Sequence, residues 1–178
     1  MGNLALTYRN QGRWKEAEEL EVKVLEISSK ILGAEHRDTL VSMGNLALTY
    51  WNQGRWKEAE ELEVKVLEIS SKILGTEHPS TLTSMGNLAL TYGNQGRWKE
   101  AEELQTKVLK ISSKVLGTEH PSTLTSMHNL AFIWKDQGQD EAITLMKECV
   151  QLRERVLGPD HPFTSSSRAT LNQWEREN

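Results

Sequence analysis

The amino-acid sequence predicts an all-α fold, an α-solenoid built from antiparallel helix pairs. The segment MGNLALTY-x-NQGRWKEAEEL recurs every 42 residues, beginning at Met1, Met43 and Met85, with a drifted copy at Met127. Each copy contains two stretches with the helical apolar period, and no stretch alternates apolar and polar residues as a strand would. Repeats of about 20 to 50 residues are typical of solenoids, in which each unit buries its apolar face against its neighbours.

The repeat register organises one predicted domain, residues 1–178. It places the copies at 1–42, 43–84, 85–126 and 127–167, with a partial terminal helix at 164–178. The first two copies differ only at Arg9/Trp51, Ala34/Thr76, Arg37/Pro79, Asp38/Ser80 and Val41/Thr83. Because Met1 aligns with the middle of a first helix, we expect the chain to have been cut from a longer array.

The first helix of each copy, helix A, is predicted from an apolar stripe. In the second copy the stripe consists of Leu40, Met43, Leu46, Ala47 and Tyr50. This spacing indicates an amphipathic helix of about 14–16 residues. Gly54 follows it and suits the left-handed conformation found past a helix C-terminus.

The second helix, helix B, is predicted from a longer stripe and is expected to span about 18–20 residues. The stripe consists of Trp56, Ala59, Leu62, Val66, Ile69 and Ile73. Gly75 ends this helix, and Pro79 fits the first position of the next one. The short A–B connection requires antiparallel packing. The charged residues of helix B are interpreted as mostly a solvated face. The location of Glu63 is left open, since Met146 holds its position in copy four.

Composition excludes several classes of function. The net charge is −4 without a cluster of Lys or Arg, which argues against a nucleic-acid interface and a polybasic membrane anchor. No apolar stretch reaches the roughly 18–20 residues of a membrane span. Cys149 is the only cysteine, so no intrachain disulfide can form, and we expect a reducing, cytoplasmic environment. We interpret Cys149 as a small buried hydrophobe rather than a reactive thiol.

The spacing Leu46-Ala47-x-x-Tyr50, Gly54, Trp56-x-x-Ala59 resembles the tetratricopeptide repeat (TPR) pattern. With 42 residues instead of 34, the copies are similar to kinesin light chain repeats and especially to arrays in fungal NLR-type (STAND) proteins. The resemblance implies a right-handed superhelix whose concave face is lined by helix A. It also implies a repeat array used for protein binding. The chain contains no G-x-x-x-x-G-K-[ST], so an NTPase would have to lie outside it.

A row of asparagines on helix A is the first candidate site. Its members are Asn3, Asn45, Asn87 and Asn129. By the resemblance this position faces the concave groove, where a ladder of amides would hydrogen-bond the backbone of an extended peptide. The alternative is that each amide bonds a neighbouring helix or only solvent.

The second candidate is the position after the recurring aromatic residue, which holds Arg9, Trp51, Gly93 and Lys135. We expect Trp51 and Lys135, together with the following Asp136, to provide selectivity in the groove, with neutral drift at the variable position as the alternative. The next position continues this face with Asn52, Asn94 and Asp136. Gly44, Leu48 and Thr83 stand where the family's carboxylate clamp would lie, so a ligand that ends in a carboxylate is not expected.

Other recurring residues are assigned to the scaffold. Trp14, Trp56 and Trp98 are expected to pack in the core. The connector histidines are expected to be hydrogen-bonded in their turns rather than to bind metal; they are His36, His78, His120 and His161. No catalytic constellation survives removal of the repeat register, so we expect no enzyme activity, no metal and no cofactor.

The function favoured by the sequence is a scaffold that binds a protein or peptide segment along the concave face, acting as a monomer. One alternative is the ligand-sensing array of an NLR-type signalling NTPase, which a P-loop domain upstream would favour. Another is end-to-end self-assembly into a structural solenoid, which light scattering over a concentration series would reveal.

Overall fold

A computed structural model describes residues 2–177 of the chain, and every regular element in that range is an α-helix. Met1 and Asn178, the outer bounds of the predicted repeats, lie outside the described residues. The chain divides into two compact units, Met1–Gln95 and Gly96–Asn178. The assignment of one domain to the whole chain stays a prediction.

The first unit contains five helices among its described residues. They are α1 (Gly2–Asn10), α2 (Trp14–Leu32), α3 (Arg37–Asn52), α4 (Trp56–Leu74) and α5 (Pro79–Asn94). Each helix packs on the one before it. In the second copy α3 has 16 residues and α4 has 19, so the predicted lengths of helices A and B are confirmed.

The second unit contains four helices among its described residues. They are α6 (Trp98–Val115), α7 (Pro121–Asp136), α8 (Glu141–Leu157) and α9 (Pro162–Glu177). Helix α9 lies where the partial terminal helix was predicted, and it packs on α8. The architecture is the predicted all-α solenoid of antiparallel helix pairs.

The helix ends follow the chemistry of the connectors. Gly54 and Gly75 adopt φ of 74° and 91°, a left-handed conformation that only glycine takes without strain. Pro79 opens α5, as predicted. The Nδ1 atom of His78 accepts the backbone N–H of Ser80 at 3.1 Å and satisfies one of the unpaired donors of the first turn.

All four connector histidines bond in this way. His36, His78, His120 and His161 each accept the N–H two residues ahead at 3.1–3.2 Å. The prediction that they are hydrogen-bonded in their turns is confirmed. Their recurrence is therefore explained by helix capping, since a side chain that accepts an N–H at a helix start is favourable at every copy.

Apolar side chains from successive helices form the core of each unit. In the first unit Leu40, Met43 and Val66 form one buried cluster. In the second unit Cys149 is fully buried beside Leu124 and Met127. Burial raises the pKa of the Cys149 thiol, which confirms its interpretation as a small buried hydrophobe.

The tryptophans at the start of helix B are less buried than predicted. Trp56 is 36% exposed, and Trp14 and Trp98 are partly buried. The prediction that these tryptophans pack fully in the core is therefore wrong, since their side chains are only partly buried. Because each of these residues opens its helix, no preceding turn of the same helix lies beneath its side chain.

Within residues 2–177, none of the helices combines the length and the apolar character that crossing a bilayer requires.

Candidate functional site

The first unit contains an open cavity of about 570 Å³ between α3, α4 and α5. This volume is in the range of small-ligand and side-chain pockets. Its apolar lining consists of Leu40, Val41, Val66, Ile73 and Leu74. Its polar lining consists of Glu35, Arg37, Glu63, Ser70, His78, Ser80, Thr83, Ser84 and Asn87. We call this cavity the α3–α5 groove.

Three of the four row asparagines line cavities. Asn87 lines the α3–α5 groove and is exposed at it. Asn3 and Asn45 line a smaller cavity of about 200 Å³ between α1, α2 and α3. Asn129 is half-buried on α7. The three members of the row in the first unit thus lie beside its cavities, while the use of the row in binding stays a prediction.

Glu63 is the buried polar group of the α3–α5 groove. Its side chain extends from α4, and the residue is only 7% exposed. Its Oε2 atom has no hydrogen-bond partner among the described residues. Burial raises the pKa of Glu63 to about 7, which the Thr91 hydroxyl partly offsets and nearby Glu60 reinforces. The groove therefore presents an acid whose charge the fold leaves uncompensated.

The matching residue of the first copy, Glu21, is buried with partners. Its Oε2 atom accepts the Thr49 hydroxyl at 2.6 Å, and its Oε1 atom lies 3.6 Å from a guanidinium nitrogen of Arg9. Burial still raises the pKa of Glu21, against the opposing effects of Thr49 and Arg9. In the first copy, then, a guanidinium lies beside the buried acid.

The variable position explains this difference between the copies. Arg9 is nearly buried, and besides Glu21 it contacts the backbone and side-chain oxygens of Asn45 at 3.2 and 3.5 Å. In the second copy the same position holds Trp51, which is half-buried and whose indole N–H has no partner among the described residues. In the fourth copy the variable position holds Lys135, whose ammonium lies 5.8 Å from the ring centroid of Trp174 on α9.

The residues that follow the variable position lie at helix ends. The side-chain amides of Asn52 and Asn94 donate to the carbonyls of Leu48 and Leu90 in their own helices, at 2.7 and 2.8 Å. Asp136 lines another open cavity, beside Trp98 and Gln137 in the second unit. The structure does not bring these three residues together with the α3–α5 groove.

The sequence interpretation missed Glu63 as a groove residue. It assigned most charged residues of helix B to a solvated face and left the location of Glu63 open. The buried residues of α4 are Ala59, Glu63, Val66 and Ser70, which recur at the helical period. Two signals were present: Glu63 lies four residues after Ala59, and Met146 replaces it in copy four.

In the last copy, side chains of the protein itself occupy the place that corresponds to the α3–α5 groove. Arg153 stands where Ser70 stands in the second copy, and it is 3% exposed. Its Nη1 atom donates to the Phe163 carbonyl at 3.0 Å and to the Ser167 hydroxyl at 2.5 Å. His128, which replaces Gly44, is also in contact with Ser167, and burial lowers the pKa of His128 to about 4.

Comparison with known proteins assigns the repeats. Two family models described as tetratricopeptide repeat match the chain, one at residues 1–70, 53–112 and 87–140 and the other at residues 123–163. No curated protein matches it at a significant level.

Solved structures similar to this chain include two from Podosopora anserina, described as kinesin light chain nearly identical TPR-like repeats. Both are 38% identical to it and cover 99% of it, with TM-scores of 0.80 and 0.79; the chain covers 86% and 87% of them. BtubC from P. vanneervenii is 22% identical, with a TM-score of 0.79 over 94% of this chain and 67% of its own, which shows the fold alone.

Proposed function

The chain belongs to the tetratricopeptide repeat family, and from this premise we propose that it is a scaffold that binds an extended peptide segment of a protein partner in the α3–α5 groove. Proteins of this family are generally scaffolds for protein interactions and not enzymes. The proposal specifies which surface of this chain is used.

The observation that carries the proposal is the groove itself. It combines apolar walls, on which a side chain can pack, with polar side chains that can orient a bound segment. Asn87 borders it, and an amide offers both a donor and an acceptor to a peptide backbone. Asn45 borders the neighbouring cavity of the same unit and would extend the contact along the peptide.

Replacement of the row asparagines tests this assignment. A random dodecapeptide library displayed on phage would be selected against the full chain, and the affinity of the recovered peptides measured by fluorescence anisotropy. The double variant Asn45→Ala, Asn87→Ala removes the two amides of α3 and α5 that would bond the peptide backbone. We expect the affinity of the recovered peptides for this variant to fall at least about fivefold, since each lost hydrogen bond contributes about 0.5–1.5 kcal/mol.

The matched control is Asn52→Ala, Asn94→Ala. These amides bond their own helices, so we expect little loss of affinity and a small loss of helix stability. Circular dichroism would verify that both variants keep their helices. Unchanged affinity in the double variant Asn45→Ala, Asn87→Ala would refute the groove assignment.

The alternatives from the sequence, a sensor array of a signalling NTPase and a self-assembling solenoid, stay predictions, as does the cytoplasmic location. The cavities and buried groups of the first unit support a ligand-binding surface and favour neither of these alternatives.

A further inference from the structure

The α3–α5 groove contains a buried acid, Glu63, that has no ion-pair partner among the described residues. Glu63 lines the groove at 7% exposure, and its Oε2 atom is unpartnered among the described residues. A buried carboxylate without a counter-charge is costly, and a cation placed beside it removes much of that cost. The groove is therefore complementary to a positively charged group.

The first copy shows which cation this position accepts. There the guanidinium of Arg9 lies 3.6 Å from Glu21, with both side chains nearly buried. In the second copy the repeat register puts Trp51 where Arg9 stands, and an indole carries no charge. The carboxylate at this repeat position is thus beside a cation in the first copy and has none paired with it in the second copy.

In the last copy a guanidinium also lies at the corresponding place, but it belongs to a residue of the second helix, α8. Arg153 donates to the carbonyl of Phe163, the hydroxyl of Ser167 and, at 3.4 Å, the carbonyl of Leu124. By register, the matching residues of the second copy line the α3–α5 groove; they are Ser80, Ser84 and Leu40. At the two places that Arg153 and His128 occupy in the last copy, the lining of the groove has the smaller Ser70 and Gly44.

We infer that the α3–α5 groove binds an arginine side chain of the peptide, with its guanidinium against Glu63 and its methylenes against Leu40 and Val66. This inference rests on the proposed function and gives its ligand a chemical class. Arginine suits the groove better than lysine because its planar fork reaches several acceptors at once and keeps its charge when buried. Arg37 also lines the groove and is exposed.

A small probe tests the inference directly. Nα-acetyl-arginine N-methylamide would be titrated into the full chain and followed by NMR, beside the citrulline analogue, which has nearly the same shape and no charge. We expect the arginine probe to bind at least tenfold more tightly than the citrulline probe. Equal binding of the two probes would overturn the inference.

Two variants and a control locate the binding. Glu63→Gln should weaken the arginine probe at least tenfold, and Ser70→Arg should abolish its binding by filling the groove as Arg153 does in the last copy. Glu21→Gln should leave its affinity unchanged, since Arg9 already occupies that acid. Parent affinity in either groove variant, verified as folded by circular dichroism, would contradict the assignment.

The library peptides separate this inference from the proposed function. If Ser70→Arg blocks peptides whose affinity does not change when arginine is replaced by citrulline, the groove stands and the arginine inference fails. If neither Ser70→Arg nor the double variant Asn45→Ala, Asn87→Ala affects the affinity of any recovered peptide, the proposed function fails, whatever the small probe does.

Discussion

Glu63 opposes folding whenever it is charged. Its pKa in the folded chain is about 7, above the value of 4.5 for a free side chain. Between these two values the folded state binds more protons than the unfolded state, so stability falls as pH rises through this window. Above pH 7 the full cost is about 3 kcal/mol.

We predict that Glu63→Gln stabilises the chain at pH 8 by about 1–3 kcal/mol, and that the gain shrinks toward pH 4.5. Glutamine already occupies this position in the third copy, where Gln105 donates to the Ser126 carbonyl at 3.0 Å. Urea unfolding at a series of pH values would measure the difference. The control is Glu61→Gln on the exposed face of α4, which should leave the pH dependence as it is.

Two carboxylates of this type titrate in the first unit, because burial also raises the pKa of Glu21. Glu21 is partly compensated by Arg9 and Thr49, so its contribution to the pH dependence is the smaller one. A Glu63→Gln variant that unfolds with the same pH profile as the parent would show that Glu63 is solvated in the folded chain.

At the scale of the helix, glycines divide into those required by the backbone and those that are not. Gly75 ends α4 at φ 91°, whereas Gly44 lies inside α3 with no atom within 4 Å of a Cβ added there. We predict that Gly75→Ala destabilises the chain by about 1 kcal/mol and that Gly44→Ala stabilises it by about 0.5–1 kcal/mol. Thermal unfolding of the matched pair would test this. Equal effects of the two substitutions would contradict the observed helix ends.

The helices were predictable because their signals are local. The stripe from Leu40 to Tyr50 and the glycines after each helix define α3 and α4 within a few residues. The burial of Glu63 was not predicted, because it depends on α3 and α5 covering α4 from both sides. A charged residue beside an apolar stripe has little local signal that separates these two environments; its spacing from Ala59 and the methionine at the matching position of copy four pointed inward.

At the scale of the whole molecule, near-identical copies provide different surfaces through a few substitutions. The asparagine row could be predicted from the register, but the α3–α5 groove could not. Its lining includes Gly44 and Ser70 on two helices, and the same places hold the larger His128 and Arg153 in the last copy. Neither substitution has a recognisable signature in the sequence. Their combined effect on the shape of the surface follows only when the three helices are packed together.

The measurement that tests the central claim most directly is a crystal structure of the full chain bound to its tightest library peptide. We predict that the peptide lies across α3 and α5, with an arginine guanidinium within hydrogen-bond distance of Glu63 and a backbone contact to Asn87. A peptide bound on the outer face of α4, beside Glu61 and Lys65, would contradict it.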